Sequence, residues 1–192
     1  MMCRAALLAS LVLLLLHSAA SAAELRPGDA SPPLALEDIK GRALAVPSPG
    51  HVMLLSFASR STAEATGEIT RAIRVDYPGL EILSFIDLSG LPGFMHAIAR
   101  ERMAARQEGA VKATQAAFAA AGREAPDDLD ARIHIIPDFD AKTCEAFGAT
   151  DAGNQPMIVL IGKDGRVKAI FQQMPSLAEV EAAVANETSS KP

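Results

Sequence analysis

Val52-Met53-Leu54-Leu55-Ser56-Phe57, running on into Ala58-Ser59-Arg60-Ser61-Thr62-Ala63-Glu64-Ala65-Thr66, is the stretch that decides how this chain folds. A short, almost unbroken apolar run of this kind predicts a strand buried on both faces. The small hydroxylated residues after it open a helix, expected from about Thr62 to Val75. Tyr77-Pro78-Gly79 breaks that helix, and Leu80 to Leu88 forms a second apolar run bounded by turn residues. Strand, helix and strand within so short a compass predict two parallel strands joined by a right-handed crossover.

Working outward, Glu24 to Pro49 is rich in Pro and Gly. Its short apolar alternations at Leu34, Leu36 and Ile39 and at Leu44 and Val46 predict an edge hairpin or extended arm. Downstream, Phe94, Ile98, Val111 and Phe118 give Gly93 to Gly122 helical spacing, with Gly109 interrupting it, so two helices or one bent helix are expected. Ala125 to Asp130 reads as an acidic loop, Ile133 to Ile136 as a short strand and Ala141 to Phe147 as a short helix. Pro156 introduces a final hairpin, Met157 to Ile161 and Val167 to Gln172, around Lys163-Asp164-Gly165-Arg166. Ser176 and Glu179 have the spacing of a capping box for a last helix through Ala185.

The N-terminus has the form of an export signal. Arg4 supplies a positive start, Ala5 to Leu16 an apolar stretch, and Ala20-Ser21-Ala22 a small-residue cleavage site. That apolar stretch is shorter than the roughly 20 residues a membrane-spanning helix needs, so a cleaved leader over residues 1–23 is expected, with no stable membrane anchor afterwards. Residues 24–186 then form one domain, and 187–192 a polar tail. The expected location is periplasmic or secreted. Loss of Cys3 with the leader leaves Cys144 as the one thiol, which cannot form an internal disulfide. A net charge of -5 without a basic run argues against a nucleic-acid partner.

The whole order predicts an α/β three-layer sandwich, a mixed sheet flanked by helices, with an N-terminal extension and a helical insertion. It resembles the thioredoxin-like redoxin superfamily, which includes the peroxiredoxin-type AhpC-TSA proteins. The resemblance rests on Arg26-Pro27-Gly28-Asp29-Ala30 with Pro32-Pro33 and Gly41, on Asp138-Phe139-Asp140 with Phe147-Gly148, and on Pro156 through Asp164-Gly165-Arg166. It spans roughly Arg26 to Val184. The run Ala58 to Ala63 and the ending Val159 to Val167 are similar to the YtfJ-type periplasmic redoxin-like proteins, which also lack the cysteine pair.

That resemblance implies a reactive thiol in the turn after Phe57, where a helix N-terminus stabilises a thiolate. The thiol is missing. Aligned as a thioredoxin, the chain has Ser61 and Glu64 at the two cysteine positions; aligned as a peroxiredoxin, it has Thr62 in the motif and Ala65 at the peroxidatic position. Serine does not replace cysteine, because its hydroxyl ionises far above a thiol and forms no disulfide. The turn keeps other assets: Arg60, the hydroxyls of Ser61 and Thr62, and free helix N–H groups suit an anion or carboxylate, although Ser61 or Thr62 as a plain helix cap explains the same residues. The resemblance further implies a cis Gln155–Pro156 bond facing Arg60 to Glu64, with the Gln155 backbone free to pair with an extended peptide.

The expected function is therefore non-catalytic binding of a peptide or protein by a pseudoenzyme, with no cofactor. Two other functions compete with it. A thiol oxidoreductase or peroxidase would have to act through Cys144, whose setting Lys142-Thr143-Cys144-Glu145 suits a small packing residue. A periplasmic metal carrier would have to use His51, His96, His134 or the methionines, which show no ligand spacing. Asp138, Asp140 and Glu145 lack the glycine of a calcium loop, and Asp127, Asp128 and Asp130 read as a solvated acidic loop.

Overall fold

Two runs of extended chain meet parallel at the centre of the molecule. In the computed structural model, which describes residues 24–151 and 154–189, β3 (Met53–Ser59) pairs in parallel with β4 (Glu81–Asp87), and α1 (Ala63–Asp76) crosses between them. The expected leader and the last three residues of the tail lie outside the described residues. β5 (Ile133–Asp138) adds in parallel to β4, while β6 (Met157–Ile161) and β7 (Val167–Gln172) add antiparallel on the other side. The order is β5-β4-β3-β6-β7, a mixed sheet as expected. β1 (Leu34–Glu37) and β2 (Ala43–Val46) form the N-terminal hairpin, but as a separate two-stranded sheet rather than an edge of the main one.

Strand alternation sorts the core into two faces. Met53, Leu55 and Phe57 of β3 point to one side, with Leu83, Phe85 and Val159 and with Leu34, Leu36 and Val46 from the hairpin. Phe57 stacks on Phe85 with ring centroids 4.9 Å apart and meets Phe147 at 5.1 Å, so the aromatic centre lies under the hairpin. Val52 and Leu54 point to the other side, where Ile73 of α1 and Val180 and Val184 of α5 (Leu177–Ser189) cover them. Each fully buried Leu, Ile or Phe here stabilises the fold by about 1.5 to 3 kcal/mol.

The long insertion resolves into one helix. A short 3-10 turn, Gly93–Met95, leads into α2 (His96–Ala120), which passes straight through Gly109, so neither a break nor a second helix forms. Helical hydrogen bonding tolerates one glycine at about 1 kcal/mol, which α2 offsets by packing Met103 and Phe118 inward. The acidic loop ends in a helical turn, α3 (Leu129–Arg132), with Asp128 paired to Arg132 at 2.8 Å and Asp130 to Lys40 at 2.6 Å. At the C-terminus α5 continues to Ser189, three residues into the segment expected as tail. Its start is the capping box: the Ser176 N–H and hydroxyl both donate to Glu179 Oε2, at 2.8 and 2.6 Å.

One polar cluster ties the hairpin to the sheet. The buried Asp38 carboxylate accepts from Arg42 Nε at 2.6 Å, from the Lys40 and Arg42 backbone N–H groups and from His134 on β5 at 3.0 Å. Burial opposes its charge, but these donors prevail and hold its carboxyl below the usual range. Burial also lowers His134, so that ring stays neutral at pH 7.

Candidate functional site

Parallel strands leave their carboxyl ends at one edge of the sheet, and the turn singled out in the sequence sits there. Ser59 ends β3, Arg60 and Ser61 make the turn, and Thr62 leads into α1. The hydroxyls bind one another. The Ser59 N–H donates to Thr62 Oγ1 at 2.9 Å, the Ser61 N–H donates to Ser59 Oγ at 3.1 Å, and the Ser59 and Ser61 hydroxyls lie 2.7 Å apart. Thr62 stands at the N-cap but makes no side-chain cap bond, since its oxygen already accepts backward from Ser59. The plain-cap explanation of these residues therefore does not hold for Thr62.

Arg60 is exposed and has no ion-pair partner among the described residues, whereas Glu64 pairs with Arg106 of α2 at 3.3 Å. Pro156 comes near this turn: Phe57 pairs with Met157, so the residue before Met157 lies beside the end of β3. Two details differ from expectation. The cis bond among the described residues is Val46–Pro47, not Gln155–Pro156, and the Gln155 N–H is taken by Asp151 O at 2.7 Å. The same Asp151 carbonyl accepts from the Asn154 N–H at 3.1 Å, and β6 begins directly after Pro156.

Cys144 lies on the sheet face opposite α1. It is 1% exposed in the cluster that holds Phe57, Phe147 and Met157, on α4 (Lys142–Ala146). Its own N–H donates to Asp138 Oδ2 at 2.8 Å, which anchors the short helix. Burial, and then the carboxylates of Asp138 and Asp87, push the thiol far above its ordinary range. Such a group is a weak nucleophile at neutral pH.

Among the described residues, no three His, Cys, Asp or Glu side chains gather to hold a metal ion. His51 is exposed, His134 binds Asp38, and His96 stacks on Phe139 at 4.1 Å with Arg100 over the same ring. Asp140 pairs with Lys142, and Met103 is buried core.

The structure adds two cavities that sequence reasoning missed. An apolar groove of about 590 Å³ runs from the turn along α2, lined by Ala63, Ile86, Leu88, Met95, Ile98 and Met103. Arg60, Arg102 and Arg106 rim it, and Arg102 like Arg60 has no ion pair among the described residues. Phe94 and Ile98 beside it are 81% and 43% exposed. The weak amphipathicity of α2 was the sequence signal, since its first turns have no buried face. The second cavity lies between α1 and α2 over the sheet, and its signal was the polar spacing Thr66, Thr70 and Arg74 on the inner face of α1.

No protein-family model matches the sequence, and no curated protein matches it. Solved structures do match its shape. A protein from Chlorobium tepidum assigned as the thiol:disulfide interchange protein DsbE superposes with a TM-score of 0.55 at 15% identity, covering 85% of this chain and 98% of that one. The C-terminal domain of a protein from Bacteroides thetaiotaomicron assigned as a thiol-disulfide oxidoreductase gives 0.57 at 14%, covering 86% and 97%. The exposed lipoprotein thioredoxin of Streptococcus pneumoniae gives 0.51 at 14%, covering 81% and 99%. The chain has the thioredoxin-like fold.

Proposed function

We propose that this is an exported, non-catalytic thioredoxin-fold protein that binds a peptide or protein segment at the degenerate turn and the groove beside it. One observation carries the proposal: where redoxins carry reactive thiols, Ser59, Ser61 and Thr62 bind one another, and the adjoining apolar groove is rimmed by arginines, two of them without ion pairs among the described residues. Hydroxyls that bind one another in this way are no substitute for a thiol, since they ionise far above it and form no disulfide. An apolar groove with a few fixed charges suits a segment that presents large apolar side chains and a carboxylate. Phe94 and Ile98 extend that apolar surface. Export is supported by the leader-like sequence of residues 1–23, and no described helix is long and apolar enough to cross a membrane.

The test is a peptide array probed with the full chain, followed by fluorescence titration of the peptides that bind. Arg60→Ala and Ile98→Asp are expected to weaken binding on the order of tenfold while changing stability by no more than about 1 kcal/mol, as befits exposed positions. Insulin reduction or peroxide consumption that vanishes in Cys144→Ala would overturn the reading in favour of a single-thiol enzyme.

A further inference from the structure

The inner face of α1 is wrong for a helix that only packs. Thr66, Thr70 and Arg74 recur at i, i+4 and i+8, so they share one face, and they are 3%, 7% and 5% exposed. A helix stripe facing a sheet is ordinarily apolar. Here the stripe lines a cavity of about 350 Å³ with Ser84 of β4 in its floor and Ala110, Ala113 and Thr114 of α2 across from it. Small residues keep it open: a Cβ added at Gly67 or Gly109, both in its lining, would meet nothing within 4 Å.

Within this lining Arg74 is a buried cation without a counter-ion among the described residues. Its Nη1 donates to Arg132 O at 2.8 Å, and no carboxylate pairs with it among the described residues. The charge that acts on it is the like charge of Arg132. Burial, with Arg132 adding to it, pulls Arg74 down to about 10, so it stays protonated at pH 7. Buried charges are normally paired, and a guanidinium with spare N–H groups matches a carboxylate or phosphate. Arg71, also in the lining, has no ion pair among the described residues either, while Arg106 is held by Glu64.

The hydroxyls narrow the ligand further. Thr66 donates to Thr62 O at 3.2 Å, Thr70 to Gly67 O at 3.2 Å and Thr114 to Ala110 O at 2.7 Å. With their protons spent on their own helices, these three oxygens are left to accept. We propose that this cavity binds a compact, hydroxylated organic anion, a hydroxycarboxylate or a phosphate monoester, with its charge on Arg74 and its hydroxyls donating to the threonines. A volume near the lower end for ligand sites fits a ligand of this size and not a peptide. The site adjoins the groove used by the proposed partner and shares Ala63, Ile86 and Arg106 with it, but Thr66, Thr70, Arg74 and Ala113 line this cavity alone and Arg60 and Ile98 the groove alone, so variants at those positions let either assignment fail without the other.

Isothermal titration of the full chain at constant ionic strength, with citrate, glycerol 3-phosphate and inorganic phosphate as probes, tests the proposal. Saturable one-to-one binding of citrate or glycerol 3-phosphate is expected. Citrate alone would identify a carboxylate ligand, and glycerol 3-phosphate alone a phosphate ester. Arg74→Gln should weaken that binding on the order of tenfold or more. Ala113→Leu, which fills the space and leaves every charge in place, should do the same and keeps the test valid if Arg74→Gln does not fold. Arg60→Ala, at the other groove, should leave the affinity unchanged. No saturation by any of the three probes, saturation by inorganic phosphate only, or equal affinity in wild type and Ala113→Leu would overturn the proposal.

Discussion

Alkylation of Cys144 should be slower in the native protein than in the unfolded chain on the order of a thousandfold or more. The thiol is 1% exposed beneath Phe57 and Phe147, so a reagent reaches it only when that part of the core opens. A domain of this size has about 5 to 15 kcal/mol of stability, and each 1.4 kcal/mol is roughly a factor of ten, so even the low end gives three to four decades of protection. Ionisation adds to this. Burial first, then Asp138 and Asp87, raises the folded thiol above its unfolded value, and the reagent needs the thiolate. The stability linked to this raised value is fully present below the ordinary thiol range and is lost as pH rises through the folded value. The assay is iodoacetamide labelling at about pH 8, native and in urea, resolved by peptide mass spectrometry. Protection of less than about tenfold would refute the reasoning and bring back the single-thiol enzyme.

Three further outcomes follow from the packing. Asp38→Ala should cost about 3 kcal/mol, because it strands the buried His134 contact and the Arg42 guanidinium together; a urea midpoint that barely moves would show the cluster to be dispensable. Stability should fall as the solution is acidified, first as pH drops below about 6.5 through the folded value of His134 and then as it drops below about 4 through that of Asp38, since both are lower in the folded state than in the unfolded chain; melting temperatures across this range check the sign. Gly67→Ala should stabilise α1 by about 0.5 to 1 kcal/mol, as its Cβ meets no neighbour, and a lowered melting temperature would mean the helix is strained there.

Local sequence determined the elements wherever one pattern had one reading. The Val52 to Phe57 run, the Tyr77-Pro78-Gly79 break and the Ser176–Glu179 box each act through neighbours in the chain, and each gave its strand, turn or helix start. The absence of cysteine from the turn after Phe57 was equally plain, since a missing side chain needs no structure to be seen. Tertiary structure decided what distance along the chain conceals. The hairpin forms its own sheet, and what ties it to β5 is the contact of Asp38 with His134, ninety-six residues away. Thr62 looked like a cap, but its hydroxyl is engaged by Ser59, and the Gln155 N–H that seemed free is closed onto Asp151. The polar residues of α1 were visible as letters, yet only the approach of α2 across the sheet turned Thr66, Thr70 and Arg74 into the wall of a cavity, because a guanidinium's want of a partner is a property of everything packed around it.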